Sequence, residues 1–291
     1  MLAAPIGVWL LFFFVAPFLL IVWYSFGEKP SLYETHGNDV FTLQRYADAV
    51  TPAFLSTFGR TLQISLLGTV LCLLIAFPMA YWMAVKLPSR YQGIALGLVL
   101  VPYWTNFLVR TLGWQITLSP SSFVADISRS LGWGTPDLLY TAGAVQLGVV
   151  YNYLPLMILP LYVALERMDP RLLEASRDLG GNAFAGFRRI TVPLAVPGIG
   201  AGLLLVFVPL MGDYVTPAVL GGAAGSMIGQ QVAQQFTIAQ NWALGSAMAI
   251  ILMLAILAVV VLFGVLFKIV GLIVSRFEHV AVIEDAPGVS A

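Results

Sequence analysis

Long apolar runs separated by short polar breaks dominate the chain, and their lengths are those of membrane-crossing helices. A bilayer core needs about 20 consecutive apolar residues in helical form, each rising about 1.5 Å. Runs of that order cover Pro5 to Phe26, Thr61 to Val85, Gly93 to about Leu112, Leu138 to Leu165, about Val192 to Met211, and a stretch within Leu244 to Val274. The last exceeds the requirement, so it is expected to tilt or project. The first opens without a basic n-region and closes without a small-residue cleavage site, so a removable leader is not expected. The pattern predicts an all-α integral membrane protein with six transmembrane helices, in a single domain over residues 1–291.

The breaks carry their own signals. Glu28 to Gly59 reads as a polar loop in which Thr42 caps a short helix through Tyr46 and Val50. Lys86-Leu87-Pro88-Ser89-Arg90 is a tight basic turn. The loop from about Gly113 to Asp137 contains Pro120 and an amphipathic helix around Phe123 to Leu131. A mixed segment follows the fifth span as far as Trp242, and the tail beyond Arg276 is expected to be loose.

The most informative break is the loop of about residues 166–191, a polar island that runs straight into the fifth apolar run. Asp169-Pro170 reads as an N-cap followed by proline at the first helical position, and Gly180-Gly181 reads as the stop. Leu172, Ala175, Ser176 and Leu179 are expected on one small apolar face, with Arg171, Glu174, Arg177 and Asp178 carrying charge elsewhere. Asn182 is expected to cap a second short helix through Phe184, Phe187 and Ile190, which Pro193 follows. Short cationic helices between two spans form a docking surface rather than a core.

Composition agrees. Of 291 residues, 59% are hydrophobic and 10% charged, with a mean hydropathy of +0.91. A soluble domain of this size carries about 25% charged residues. Net charge is zero, so no bulk basic field points to nucleic acid. Nine cations (Lys86, Arg90, Arg167, Arg171, Arg177, Arg188, Arg189, Lys268, Arg276) fall in the second–third turn, the island and the tail, against five elsewhere. The positive-inside rule therefore puts both termini and the island in the cytoplasm.

Several chemistries are excluded. Lys29, Lys86 and Lys268 are the three lysines, and none completes a G-x-x-x-x-G-K-[ST] nucleotide loop. His36 and His279 lie in opposite extramembrane regions, and Cys72 is alone inside an apolar span. No metal cluster, Cys/His pair or bound cofactor is expected from that inventory. Gly198, Gly200 and Gly202 resemble a dinucleotide loop only superficially, because no strand precedes them; small-residue helix packing accounts for them.

Polar groups at membrane depth need a reason. Asp213 is the only acid between Asp178 and Glu278 and sits at the far end of the fifth span, followed by Tyr214. Two readings are open: a cation-attracting group at the mouth of a path, or an acid that fixes the local turn. Tyr151, Asn152 and Tyr153 interrupt the fourth span; they read either as a cation-π and hydrogen-bonding lining or as inter-helix glue. Trp104 and Arg110 near the end of the third span read as interfacial anchors, Arg110 by snorkelling, with Trp104 also a candidate for the path. Gln230, Gln231, Gln234, Gln235 and Gln240 form a polar, uncharged cluster assigned to the outer surface or to a gate.

The run Glu174-Ala175-Ser176, three residues, Gly180, nine residues, Ile190, one residue, Val192-Pro193 resembles the EAA motif of type I ABC importer permeases. Ser176 stands where that motif has a second alanine, and Val192 where it has leucine. Leu73 to Tyr81, Pro102 to Arg110 and Gly212 to Gly222 are similar to the spermidine/putrescine branch, so the likeness covers nearly the whole chain. The resemblance implies the type I importer fold and transport rather than catalysis, in a bacterial inner membrane. It implies that Arg171, Glu174, Ala175, Ser176, Arg177, Asp178 and Gly180 couple the chain to a pair of ATPase subunits, which hold the ATP and magnesium. Glu174 is expected to accept from ATPase donors or to pair with Arg171 or Arg177, and Gly180 to turn the backbone where a side chain would collide. A homologous second permease subunit and a periplasmic or surface-tethered binding protein complete the implied assembly. A permease for another small solute, or a secondary transporter with Asp213 as a protonatable site, are the alternatives.

Overall fold

The computed structural model describes residues 4–284 apart from Leu32, Trp133, Thr135, Pro136 and Pro170. The proline expected at the first position of the island helix and the end of the tail thus lie outside the described residues. Among the described residues the chain is helical and has no strand, only an isolated bridge between Glu28 and Gly37. It divides into two compact units, Met1–Leu252 and Met253–Ala291, and the boundary falls inside one continuous helix.

The elements are α1 (Ala4–Leu10) and α2 (Ala16–Ser25), joined by a π-helical turn, then α3 (Gln44–Ala49) and α4 (Pro52–Tyr81). A second π turn, Trp82–Lys86, ends α4, and α5 (Ser89–Trp104), α6 (Phe107–Leu118) and α7 (Phe123–Ser130) follow. The remainder is α8 (Ala142–Glu166), α9 (Arg171–Asp178), α10 (Ala183–Gly186), α11 (Val192–Met211), α12 (Val215–Leu220), α13 (Ile228–Thr237) and α14 (Trp242–Glu284). Five helical runs are long and apolar enough to cross a membrane, and six if the bent pair Ser89–Trp104 and Phe107–Ser130 is one span.

Three boundaries differ from the hydrophobic pattern. α4 begins nine residues before Thr61, because Thr51 accepts a hydrogen bond from the Phe54 N–H and Pro52 occupies the first turn. The third span is not one straight helix: it bends by 84° after Trp104. Thr105 bonds back to the Pro102 carbonyl through both N–H and hydroxyl, and Asn106 opens α6 by accepting from the Leu108 N–H at 2.8 Å. Third, the helix that Asn182 starts does not stop before Pro193. It passes through a π turn, Phe187–Thr191, into α11, giving one run over Ala183–Met211. A proline in the first turn of α11 has no N–H to lose, and the wider π turn accommodates its ring.

α8 lies at the centre of the first unit and packs against both α4 and α11. Val145, Val149, Met157, Ile158, Leu161 and Leu165 are buried along it. A helix buried on several faces has no need of an amphipathic pattern. Close approach is made possible by glycines: a Cβ at Gly198 would lie 2.6 Å from the Pro160 carbonyl oxygen, and one at Gly202 2.6 Å from the Met157 sulfur. These are the small-residue contacts predicted for that stretch. Cys72 is fully buried, its thiol 3.6 Å from the Val150 carbonyl.

Candidate functional sites

Two polar constellations stand out, at opposite ends of α11. With 20 residues that helix is about 30 Å long, the thickness of a bilayer core.

The first is α9 and its flanks. The Asp169 carboxylate accepts from the Arg171 N–H at 2.9 Å and so caps α9. At the other end Gly180 has φ +81°, its N–H donates to the Arg177 carbonyl at 2.9 Å, and the Gly181 N–H donates to the Ser176 carbonyl at 2.8 Å. That pair of bonds around a left-handed residue is the Schellman stop. The glycine requirement therefore differs from the expected collision. Nothing lies within 4 Å of a Cβ at Gly180, whose need is conformational, whereas a Cβ at Gly181 would lie 2.6 Å from the Ser176 oxygen.

The faces of α9 also sort differently. Leu173 and Ser176 turn inward, both being among the atoms nearest a Cβ placed at the buried Gly186. Leu172, Ala175 and Leu179 turn outward, Leu172 at 46% and Leu179 at 89% exposure. Ser176 thus sits at the inner edge of the predicted face: a 3.6-residue repeat puts it about 40° from Leu172 but about 100° from Ala175, and packing against Gly186 turns it inward. Glu174 forms no ion pair with Arg171 or Arg177; the ion pairs among the described residues are Arg45–Asp48 and Arg129–Asp126. Glu174, Arg177 and Asp178 are all exposed. At the surface such pairs are worth only a few tenths of a kcal/mol, too little to hold long side chains in place.

The second constellation gathers where α11 ends and the third span bends. Asp213 is 6% exposed, and one carboxylate oxygen accepts from the N–H groups of Val215 and Thr216 at 3.0 and 3.1 Å. The other accepts from the Thr216 hydroxyl at 2.5 Å. The acid thereby initiates α12, which packs against α6 and α8. A Cβ at Gly148 of α8 would lie 2.6 Å from Leu220 and 2.9 Å from Thr216, so that glycine sets the depth of α12.

Tyr153 of α8 is buried, interacts with the Asp213 carboxylate, and has Tyr103 and Arg110 in its electrostatic neighbourhood. Its ring meets Phe107 edge to face at 6.1 Å. Asn152 is buried and donates to the Thr111 hydroxyl at 3.2 Å. Tyr151 turns away, partly exposed, onto Trp114 at 5.4 Å. Three consecutive helical residues face three directions about 100° apart, so only Tyr153 of the triplet joins Asp213. Trp104, 77% exposed at the bend, and Tyr214, also exposed, stand outside the buried cluster.

Arg110 is the member that sequence reasoning placed elsewhere. It is half-buried, and its guanidinium lies over the Tyr103 and Phe107 rings at 5.3 and 5.6 Å. Its Nε and one terminal nitrogen are buried without a hydrogen-bond partner among the described residues. The electron-rich ring faces hold the cation at the bend, a contact the snorkelling expectation did not include. The bend itself carried the missing signal: Pro102 and Asn106 mark a helix break that brings Arg110 back towards Tyr103.

Next to the Asp213 turn, where a Cβ at Gly229 would lie 2.9 Å from the Asp213 carbonyl oxygen, the Thr61 hydroxyl accepts from the Ile228 N–H at 2.8 Å, and Gln231 donates to the Thr57 hydroxyl at 2.9 Å, joining α13 to α4. The glutamine cluster is thus partly consumed in anchoring α13.

Comparison with known proteins gives the family and the fold. The family described as binding-protein-dependent transport system inner membrane component matches residues 76–277. The spermidine/putrescine transport system permease protein PotB of Haemophilus influenzae is 38% identical over 248 residues, 83% of this chain and 84% of that protein. PotB of Escherichia coli is 37% identical over 246 residues, 84% of this chain and 88% of that protein. Among solved structures, a bacterial ABC transporter that imports the acidic polysaccharide alginate matches with a TM-score of 0.69 at 16% identity, over 91% of this chain and 92% of that one. The inward-facing MetNI methionine ABC transporter matches with a TM-score of 0.53 at 15% identity, over 74% and 93%. The likeness to these structures is one of fold.

Proposed function

The chain belongs to the family of binding-protein-dependent transport system inner membrane components, and from that premise we propose that it is a permease subunit of an ATP-driven polyamine importer. It is a transport subunit and not an enzyme. The observation that carries the coupling half of this reading is the outward apolar face of α9, Leu172, Ala175 and Leu179, beside an unpaired Glu174. An apolar strip on a rigidly capped helix, rimmed by charge, suits a groove in another protein.

In this reading α9 docks on one of two ATPase subunits, which hold the nucleotide and its magnesium; this chain holds no cofactor. Closure of the ATPase pair pushes α9, and the cap at Asp169 and the stop at Gly180 keep it stiff enough to transmit the push. Because α10 runs without a break into α11, the displacement reaches the span that ends at Asp213. This chain and a homologous second permease subunit then rock between inward-open and outward-open forms. Both termini and α9 lie in the cytoplasm, and a binding protein delivers solute to the opposite face.

The polyamine assignment rests on the likeness to the PotB proteins and on a chemistry suited to a cation. Asp213 supplies a carboxyl group, held by three local hydrogen bonds and lying beside Tyr153. Trp104, Tyr151 and Tyr214 offer exposed aromatic rings on neighbouring elements. The decisive experiment is radiolabelled spermidine uptake into vesicles holding the whole transporter, with ATP inside. Uptake should require ATP, and Glu174→Ala should reduce it by about a hundredfold or more, equivalent to some 2.7 kcal/mol of coupling, with assembly and unfolding temperature unchanged. Uptake driven by a proton gradient alone would overturn the importer reading.

A further inference from the structure

Behind α9, on the side away from its docking face, lies a cavity of about 240 Å³ with a cationic lining. Lys86 enters it from the π turn that ends α4, and Arg177 from the last turn of α9. Tyr81, Ser176 and Asn182 add hydroxyl and amide groups, and no acid lines it. Neither Lys86 nor Arg177 has an ion-pair partner among the described residues. Asn182 spends its amide oxygen capping the Ala185 N–H at 2.8 Å, which leaves its NH₂ as a donor. The volume is several times the roughly 30 Å³ share of one water. We propose that this cavity binds a phosphate-class anion.

Four observations favour that occupant. An ammonium and a forked guanidinium facing one space repel each other, and a shared anion turns that repulsion into attraction. The remaining polar lining is rich in donors, which a phosphate can engage through several oxygens. The backbone of one wall is fixed before binding, while the Lys86 and Arg177 side chains reach the cavity from exposed positions. Gln92 donates to the carbonyls of Ala84 and Leu87, both at 3.2 Å, and its amide oxygen lies 3.4 Å from the Tyr162 hydroxyl, whose proton is shared with Glu166 at 2.9 Å, so the turn carrying Lys86 packs on α8. Finally, the opposite wall is the coupling segment itself. A bound anion would therefore bridge the α4–α5 turn and α9, and stiffen the joint through which the ATPase push has to pass. The donor set does not depend on that coupling reading, which supplies only the side of the membrane. Two sources share the chemistry: the phosphate of an anionic phospholipid in the adjoining leaflet, and a free phosphate in solution.

The test uses the complete transporter in phosphatidylcholine nanodiscs and reads amide hydrogen exchange over residues 173–187. Two probes are applied separately: phosphatidylglycerol mixed into the disc, and inorganic phosphate in the buffer. At ten times the half-saturating amount, an effective probe should slow exchange in that segment by about tenfold. Lys86→Gln should remove the response and Lys86→Arg should retain it, which separates lost charge from lost fold. A response to the lipid alone identifies a headgroup site, and a response to phosphate in phosphatidylcholine discs a free-anion site. Exchange that neither probe alters, or that Lys86→Gln leaves as responsive as the parent, overturns the proposal. Failure here would leave spermidine uptake ATP-dependent but indifferent to anions, whereas failure of the importer reading would show in uptake itself.

Discussion

The Asp213 turn and the α9 loop use the same parts, a carboxylate, a short helix and a cap, and dispose of them in opposite ways. At Asp213 the carboxylate is consumed by the chain itself, with three hydrogen bonds to residues two and three positions on and a buried tyrosine alongside. In α9 the cap is likewise local, but Glu174 and the apolar strip remain open to the outside. The first arrangement leaves an acid buried and held by its own chain. The second leaves charged and apolar side chains at the surface. If the proposed function holds, the first end of the contrast serves local stability and the solute, and the second serves a partner.

The sharpest way to break that contrast is at the acid. Asp213→Ala deprives the Val215 and Thr216 N–H groups of their acceptor in a buried setting, at a cost of about 2–3 kcal/mol. Asp213→Asn keeps one accepting oxygen and removes the charge, at about 1 kcal/mol. Thermal unfolding in detergent measures both, and spermidine uptake gives the second reading. Asn should fold nearly as well as the parent and still transport poorly. If Asn transports normally while Ala fails, the carboxylate serves the turn alone.

A smaller effect tests the other end. Leu179→Glu places a charge on a side chain that the chain itself leaves exposed, so stability should change by no more than about 0.5 kcal/mol. Affinity for the ATPase subunit should fall about tenfold, or 1.4 kcal/mol, measured by co-purification against ATPase concentration. A matching loss of stability would mean that Leu179 belongs to a core and not to a docking strip.

The long apolar runs made the spans legible because burial in lipid leaves no alternative to a continuous hydrophobic helix. The caps at Asp169 and Asn182 and the stop at Gly180 were equally legible, being local and written in single side chains; at α3 the N-cap is Leu43, one residue past the expected Thr42, which accepts from the Gln44 N–H. Direction was not. Which of Tyr151, Asn152 and Tyr153 meets Asp213, and whether Ser176 shares a face with Ala175, depends on helix rotation, which packing sets and uniform hydrophobicity conceals. The 84° bend was hidden for the same reason, since both of its arms are apolar. The ring contacts of Arg110 were hidden with it: only the bend brings the guanidinium over Tyr103 and Phe107.

Gly180 offers the finest discrimination, because two reasons for a glycine have different consequences there. If collision were the reason, any side chain would distort the loop severely. The geometry instead gives φ +81° with open space around the missing Cβ. Gly180→Ala should therefore cost only the left-handed penalty, about 1 kcal/mol, and Gly180→Asn about half of that, because asparagine tolerates this region. Exchange rates at the Gly180 and Gly181 amides, which close the Schellman stop, measure the loss in the isolated chain. Uptake by the assembled transporter then isolates the partner's contribution. Should Ala lower uptake far beyond what the amide exchange accounts for, the space that stands open beside Gly180 in this chain is filled by the docked subunit.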